Sequence, residues 1–223
     1  MKKLTLTAFL VFCGSIQIQA QVNLFSSTPY TVYYGVIEGG DLKYEQVKGT
    51  PYINESFQEA ISLNDSISYL IRYDAYKQVM QITEKTSLGQ IKVLSPQQSY
   101  RFDLVNNNQS YISVTYPSLE KGFGLVIWSN EEGVELIKRQ VITFQKGRKG
   151  NGGYQLAIPD TFNKVKDSYF IRLKQNGEWI EIPSSKQDFF DFLGADIKKK
   201  AKENKLNPSN EEDLIKLIRL RYE

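Results

Sequence analysis

The chain is expected to be mainly β, an antiparallel sandwich or open barrel, with a small C-terminal α-helical subdomain. Three observations carry that expectation. Residues 30–183 run as short stretches of alternating apolar and polar side chains, broken at fairly regular spacing by Gly, Asn, Asp and Pro. Many of the 14 Tyr and 12 Phe fall in those stretches, where aromatic side chains suit a pleated core. After Pro183 the pattern changes to charged segments of helical periodicity. A chain of 223 residues, 41% hydrophobic and 24% charged, has an ordinary globular composition.

Residues 1–20 read as an export signal. Lys2 and Lys3 give a positive start, Leu4 to Phe12 carry no charge, and Ile18-Gln19-Ala20 supplies a cleavage sequence before Gln21. The apolar stretch is too short to span a bilayer, so the mature chain is expected not to be membrane-spanning. Cys13 is a poor lipidation site behind the bulky Phe12. The expected division is therefore a signal at 1–20, an antiparallel β domain at 21–183 and a helical segment at 184–223. The expected destination is the periplasm, the outer-membrane surface or the medium.

Export by this route removes the single cysteine, so no disulfide can staple residues 21–223. The chain contains no histidine at all. Without imidazole or thiol there is no Ser-His-Asp or Cys-His nucleophile, no zinc site of the usual nitrogen or sulfur kind and no ordinary neutral-pH proton switch. We expect no catalytic residue of those types, no metal site and no cofactor. Losing Lys2 and Lys3 lowers the basic count from 28 to 26 against 25 acids, a net charge of +1. That balance gives no field to attract nucleic acid, which is not expected as a partner.

Strands are expected at 31–37, 42–47, 57–63, 67–73, 79–83, 90–94, 100–105, 111–116, 124–129, 134–145 and 154–158. The run Tyr111-Ile112-Ser113-Val114-Thr115-Tyr116 places Ile112 and Val114 on one face and Ser113 and Thr115 on the other. Over 169–182, Asn176-Gly177 suits a two-residue type I′ turn. That turn predicts Lys174 facing Trp179, Leu173 facing Ile180, Arg172 facing Glu181 and Ile171 facing Ile182, with one wholly apolar face. Farther on, Ser209 to Glu212 reads as a capping box ahead of a helix whose Leu214, Leu217, Ile218 and Arg221 share a face.

Several motifs compete for a functional reading. Lys198, Lys199, Lys200 and Lys202 read first as a solvated helix face. The loop Lys146 to Gly153 combines glycines with Arg148 and Lys149, which are candidate anion contacts, although it lacks the phosphate-cradling Gly-Lys-Ser/Thr pattern. Ser118-Leu119-Glu120-Lys121 matches a serine-lysine pattern in form only, because the companion motifs are missing and it follows Tyr116-Pro117 in a turn. Acids such as Asp74, Glu84, Asp103, Glu131 and Glu135 remain candidates for a carboxylate pair that would cleave glycans. Trp128 and Trp179 are expected in the core before a sugar platform.

Two segments carry a resemblance. Val47-Lys48-Gly49-Thr50-Pro51-Tyr52-Ile53-Asn54-Glu55-Ser56-Phe57, followed by Tyr69-Leu70-Ile71-Arg72-Tyr73-Asp74-Ala75-Tyr76-Lys77-Gln78-Val79-Met80, is similar to exported proteins of unknown function widespread in Bacteroidetes bacteria. In those, a Gly-Ser/Thr-Pro-Tyr-aliphatic-Asn-acid-x-Phe run precedes an Arg-Tyr-Asn/Asp motif with a nearby methionine. This chain departs at Gln81, where an acidic residue would be expected. The resemblance implies a cell-envelope or secreted setting and supplies no activity. Asp65-Ser66-Ile67 resembles the O-glycosylation acceptor of such bacteria, and the Asn-x-Ser sequences at Asn54, Asn64 and Asn108 would matter only in a eukaryotic host.

Arg72, Tyr73, Asp74 and Tyr76 are therefore the candidate binding residues, although a fork of arginine and carboxylate packed in tyrosines serves a fold equally well. The expected function is non-catalytic recognition of an envelope protein or glycan. The alternative is a histidine-independent hydrolase using two carboxylates.

Overall fold

The computed structural model describes residues 47–84, 91–148, 157–174 and 177–223. Twelve strands are seen among them: β1 (Gln58–Ser62), β2 (Ser68–Asp74), β3 (Val79–Glu84), β4 (Lys92–Leu94), β5 (Arg101–Leu104), β6 (Ser110–Thr115), β7 (Lys121–Ser129), β8 (Glu135–Arg139), β9 (Ile142–Gln145), β10 (Thr161–Lys164), β11 (Ser168–Arg172) and β12 (Ile180–Glu181). Three helices follow: α1 (Lys186–Leu193), α2 (Ala195–Glu203) and α3 (Glu211–Tyr222). Ten strands form one antiparallel sheet in the order β12-β11-β8-β7-β6-β5-β1-β2-β3-β4, and β9 and β10 form a separate ribbon. The protein is thus predominantly antiparallel β with a small helical end, as expected.

The large sheet curls on itself without closing. β2 and β7 are four strand spacings apart in the order, about 19 Å on a flat sheet. Yet Tyr73 in β2 lies 5.5 Å from the ring of Tyr111 in β6 and 6.1 Å from that of Phe123 in β7. Inward residues of β1 to β7, including Ala60, Ile71, Met80, Ile82, Phe102 and Phe123, fill this barrel-like core. The open side is bridged by a few separate hydrogen bonds instead of a ladder. Gln78 Nε2 donates to Ala75 O (2.6 Å) and to Gln140 O (3.3 Å), and Ile142 N–H donates to Ala75 O (3.1 Å).

A second core lies under the helices, where Trp128, Leu136, Ile171 and Ile182 meet Phe189, Leu193, Ile197, Leu214, Leu217 and Ile218. α1 starts at Ser185, whose side chain accepts from Asp188 N–H. It ends at Gly194, where φ is +100°, a value that costs a residue with a Cβ. The cap of α3 is Asn210 accepting from Asp213 N–H at 3.2 Å, one residue later than the Ser209 box predicts. Ser209 is diverted into a local turn, donating its N–H to Asn207 Oδ1. Leu214, Leu217 and Ile218 are buried, whereas Arg221 at the helix end is exposed.

Three local expectations change. The stretch 134–145 divides into β8 and β9, because Ile142 leaves the large sheet to pair with Lys164 in the ribbon. β10 itself is not anticipated from Thr-Phe-Asn-Lys, three of whose four residues are polar. The last hairpin is shifted by two residues: Ile171 faces Ile180 and Phe170 faces Glu181. Gly177 N–H closes the turn onto Lys174 O (2.8 Å), so Gly177 ends the turn instead of sitting at its centre. The shift places Trp179 beside Arg172, at 4.6 Å from guanidinium to ring, and into a buried cluster with Val114, Val126, Ile137 and Phe170. Burying one indole outweighs an ideal turn.

Positions 31–37 and 42–46 lie outside the described residues, as do 90 and 154–156. Ile158 forms an isolated bridge to Arg148, and Val47 is not in a strand.

Burial pushes the phenols of Tyr73, Tyr111 and Tyr116 up from 10, with further opposition to ionisation at Tyr111 from Asp167. A pKa higher in the folded than in the unfolded chain gives stability that is complete below 10 and is lost as pH rises toward the folded values. Alkaline titration is therefore expected to show tyrosinate absorbance and loss of the β circular dichroism in one step above pH 10. Ionisation of these rings in the still-folded protein would contradict their burial.

Candidate functional site

The two segments of the resemblance meet in space. Ahead of β1, residues 51–53 run antiparallel beside the end of β2 as a strap. Ile53 N–H donates to Tyr73 O (3.3 Å), Ala75 N–H donates to Pro51 O (2.9 Å), and Tyr52 bridges Asp74. Arg72 fastens the strap. Its guanidinium stands 3.9 Å from the ring centre of Tyr52 and 4.4 Å from that of Phe57, while Nη1 donates to Glu55 O (2.9 Å). Nε and Nη2 both donate to Gln81 Oε1 (3.1 and 2.9 Å), and Gln81 is fully buried. Gln81 thus does the work that a carboxylate fork partner was expected to do. Before this clasp, Gly49 has φ +82°, and a Cβ there would stand 2.7 Å from Phe162 O. Lys48 pairs with β10 on the same approach, its N–H donating to Asp160 O (2.8 Å).

Arg72, Tyr73, Asp74 and Tyr76 do not converge on one point. Alternation along β2 sends Arg72 outward to the strap and Tyr73 into the barrel, where its hydroxyl donates to Gln78 Oε1 (2.9 Å). Asp74, 2% exposed, caps the following turn: Oδ1 accepts from Tyr76 N–H (3.1 Å) and Lys77 N–H (2.8 Å). Tyr76, 40% exposed, packs against Phe144 in a tilted pair at 6.2 Å and edge-on against Phe162 at 5.5 Å, and so pins the β9–β10 ribbon to the barrel. Arg148 is exposed beside Ile158, and Lys149 lies outside the described residues.

Burial raises the Asp74 pKa above 3.8, against the backbone N–H of Lys77 and its charge, which favour the anion. A carboxyl with a raised folded pKa is most stabilising below 3.8, and that contribution is lost as pH rises through the folded value. Asp74→Asn keeps an acceptor and removes the buried charge, so at neutral pH it is expected to be at least as stable as the parent. Asp74→Ala should lose about 1–3 kcal/mol. Urea unfolding at several pH values checks both, and the advantage of Asn should narrow toward pH 3.8. A loss with Asn as large as with Ala would contradict this assignment.

Two of the candidate acids, Asp103 and Glu135, are brought together in a second polar group, whose arginines the sequence does not single out. On the outer sheet face, Arg101 donates to Asp103 Oδ1 (3.3 Å) and to Glu135 Oε1 (2.9 Å), and Ser110 Oγ donates to the same Asp103 oxygen (2.6 Å). Arg172 Nη2 engages the other oxygen of Glu135. Arg101 and Arg172 are 34 and 37 residues from Glu135, so only strand order unites them. Elsewhere, Glu84 pairs with Lys92 and Glu131 is exposed. Ser118 and Lys121 point to different partners, Glu120 and Gln97. Trp128 and Trp179 are 6% and 8% exposed, which places both in the core.

Among the described residues no group of three acids is placed to hold a metal ion, and no helix is long and apolar enough to cross a membrane. The chain matches no protein-family model, no curated protein and no solved structure.

The same outer face carries an apolar patch. Ile61 is 42% exposed, Leu63 55% and Val105 50%. Ile61 stands opposite Asp103, Leu63 N–H donates to Arg101 O (3.0 Å), and Val105 N–H donates to Glu59 O (3.1 Å). Ile61 and Leu63 thus lie opposite Asp103 and Arg101, with Val105 next along the β5 side, so the aliphatic side chains border the half-exposed Arg101 and Asp103.

Proposed function

We propose that this chain is an exported cell-envelope protein that acts as a non-catalytic binding module, and that its partner is an envelope protein held on the outer face of β1 and β5. The aliphatic patch of Ile61, Leu63 and Val105, bordered by Arg101 and Asp103, carries this reading. Contiguous exposed apolar surface with charged groups at its edge is the composition of a protein contact. The candidate Arg72 is consistent with it, since its fork is spent on Gln81 and its guanidinium faces are spent on the rings of the strap. The leader-like residues 1–20 and the resemblance to exported Bacteroidetes proteins support the envelope setting.

The competing reading is a glycan hydrolase using Asp103 and Glu135, which share one guanidinium. Glu135 is 8% exposed and both its oxygens are engaged by arginines, which leaves it poorly placed to meet a glycosidic oxygen. Affinity capture from envelope extracts, with fractionation, tests the proposal. One stoichiometric protein should be recovered, and Ile61→Glu with Leu63→Glu should reduce its recovery about tenfold with an unchanged melting midpoint. Glycan turnover by the purified chain, abolished by Glu135→Gln, would overturn it.

A further inference from the structure

The apolar side of α2 is fixed in the helical core through Ile197 and Ala201, so its outer side is presented rigidly. Lys198, Lys199, Lys200 and Lys202 are all exposed, Lys205 follows at the helix end, and none of them forms an ion pair among the described residues. At 100° per residue, Lys198, Lys202 and Lys199 fall within an arc of about 100°, while Asp196 and Glu203 lie outside it. The helix dipole accounts for Lys200 and Lys202 in the last turn. It does not account for Lys198 and Lys199, and Lys198 and Lys202 form a like-charge pair at i and i+4, which disfavours the helix.

We infer that this lysine arc is a docking face for a phosphate-bearing anionic lipid surface. Lysine, a hydrated point charge, suits a diffuse field of phosphates, whereas a discrete phosphate or carboxylate pocket favours the planar fork of arginine, which α2 lacks. The arc contains no aromatic residue on which a base could stack, which sets it apart from a single-strand nucleic-acid site. It sits on a different element from the β1–β5 patch, so either proposal can fail without the other. Contact through so few lysines is expected to be weak and reversible by salt.

The test is co-sedimentation of the full chain with vesicles of phosphatidylcholine alone or mixed equally with phosphatidylglycerol. Comparison with the lysine variant below, which keeps Lys2, Lys3 and the apolar stretch after them, subtracts any binding through the N-terminus. Binding to the anionic vesicles at low salt is expected, released by high salt and reduced about tenfold in the Lys198→Gln, Lys199→Gln, Lys202→Gln variant. All three positions are exposed, and an unchanged melting curve will show that the variant folds. Equal binding by the variant, or no preference for anionic vesicles, would overturn the inference. Competition by inorganic phosphate at matched ionic strength would replace it with a discrete phosphate site. Retention on polyglutamate without vesicle binding would replace it with an acidic protein partner.

Discussion

Arg72→Ala is expected to destabilise the protein by about 3–5 kcal/mol, because one side chain supplies two cation–π contacts and donors to Gln81 and to the Glu55 carbonyl. Each ring contact contributes about 0.5–2 kcal/mol, and stranding the buried amide oxygen of Gln81 costs about 1–3 kcal/mol more. Arg72→Lys keeps the charge but cannot fork onto Gln81 while lying against both rings, so it should recover less than half of the loss. Urea unfolding measures the effect. Limited proteolysis locates it, since cleavage within 47–57 should appear in the Ala variant well before the barrel is cut. An Ala variant within about 1 kcal/mol of the parent that no longer captures its partner would instead make Arg72 a contact residue.

Glu135→Ala should be the other large effect, about 2–4 kcal/mol. Removing the carboxylate leaves two guanidiniums facing each other on a mostly dry sheet face. Breaking a buried pair costs about 3–5 kcal/mol, and the figure is lowered here because the Arg101 side chain is 34% exposed. Adding Arg172→Met should restore part of the loss, since the methionine can pack against Trp179 without needing a counter-ion. A double-mutant cycle measures that coupling, and strictly additive losses would show that the Glu135–Arg172 contact is energetically idle. The same variant separates the functional readings. A structural Glu135 costs stability when removed, whereas a catalytic one would cost turnover with the fold intact.

The two variants probe places where legibility differed. Arg72 stands out in the sequence through its motif with Tyr73 and Asp74, yet its partners Tyr52, Phe57 and Gln81 are set by which segments lie beside β2. Glu135 is one of five candidate acids in the sequence, and nothing local singles out the arginines that reach it from β5 and β11. The final hairpin shows the conflict openly. Asn176-Gly177 favours one register by local turn chemistry, and Trp179 imposes another by reaching a cluster contributed by β6, β7, β8 and β11.

What the sequence determined by itself was whatever depends on near neighbours. Alternation set most strand positions, Gly, Asn and Asp punctuation set the breaks, and the apolar spacing after Pro183 set the helices, because faces and turns are fixed by backbone geometry over a few residues. It also settled the chemical inventory, a chain without histidine whose one cysteine is Cys13. The tertiary structure alone decided the curl that brings Tyr73 against Phe123, the strap under Arg72 and the charge chain from Arg101 to Arg172. Those are choices among distant segments, and they follow from the total burial and hydrogen-bond satisfaction of the whole sheet, a sum that no short window of sequence contains.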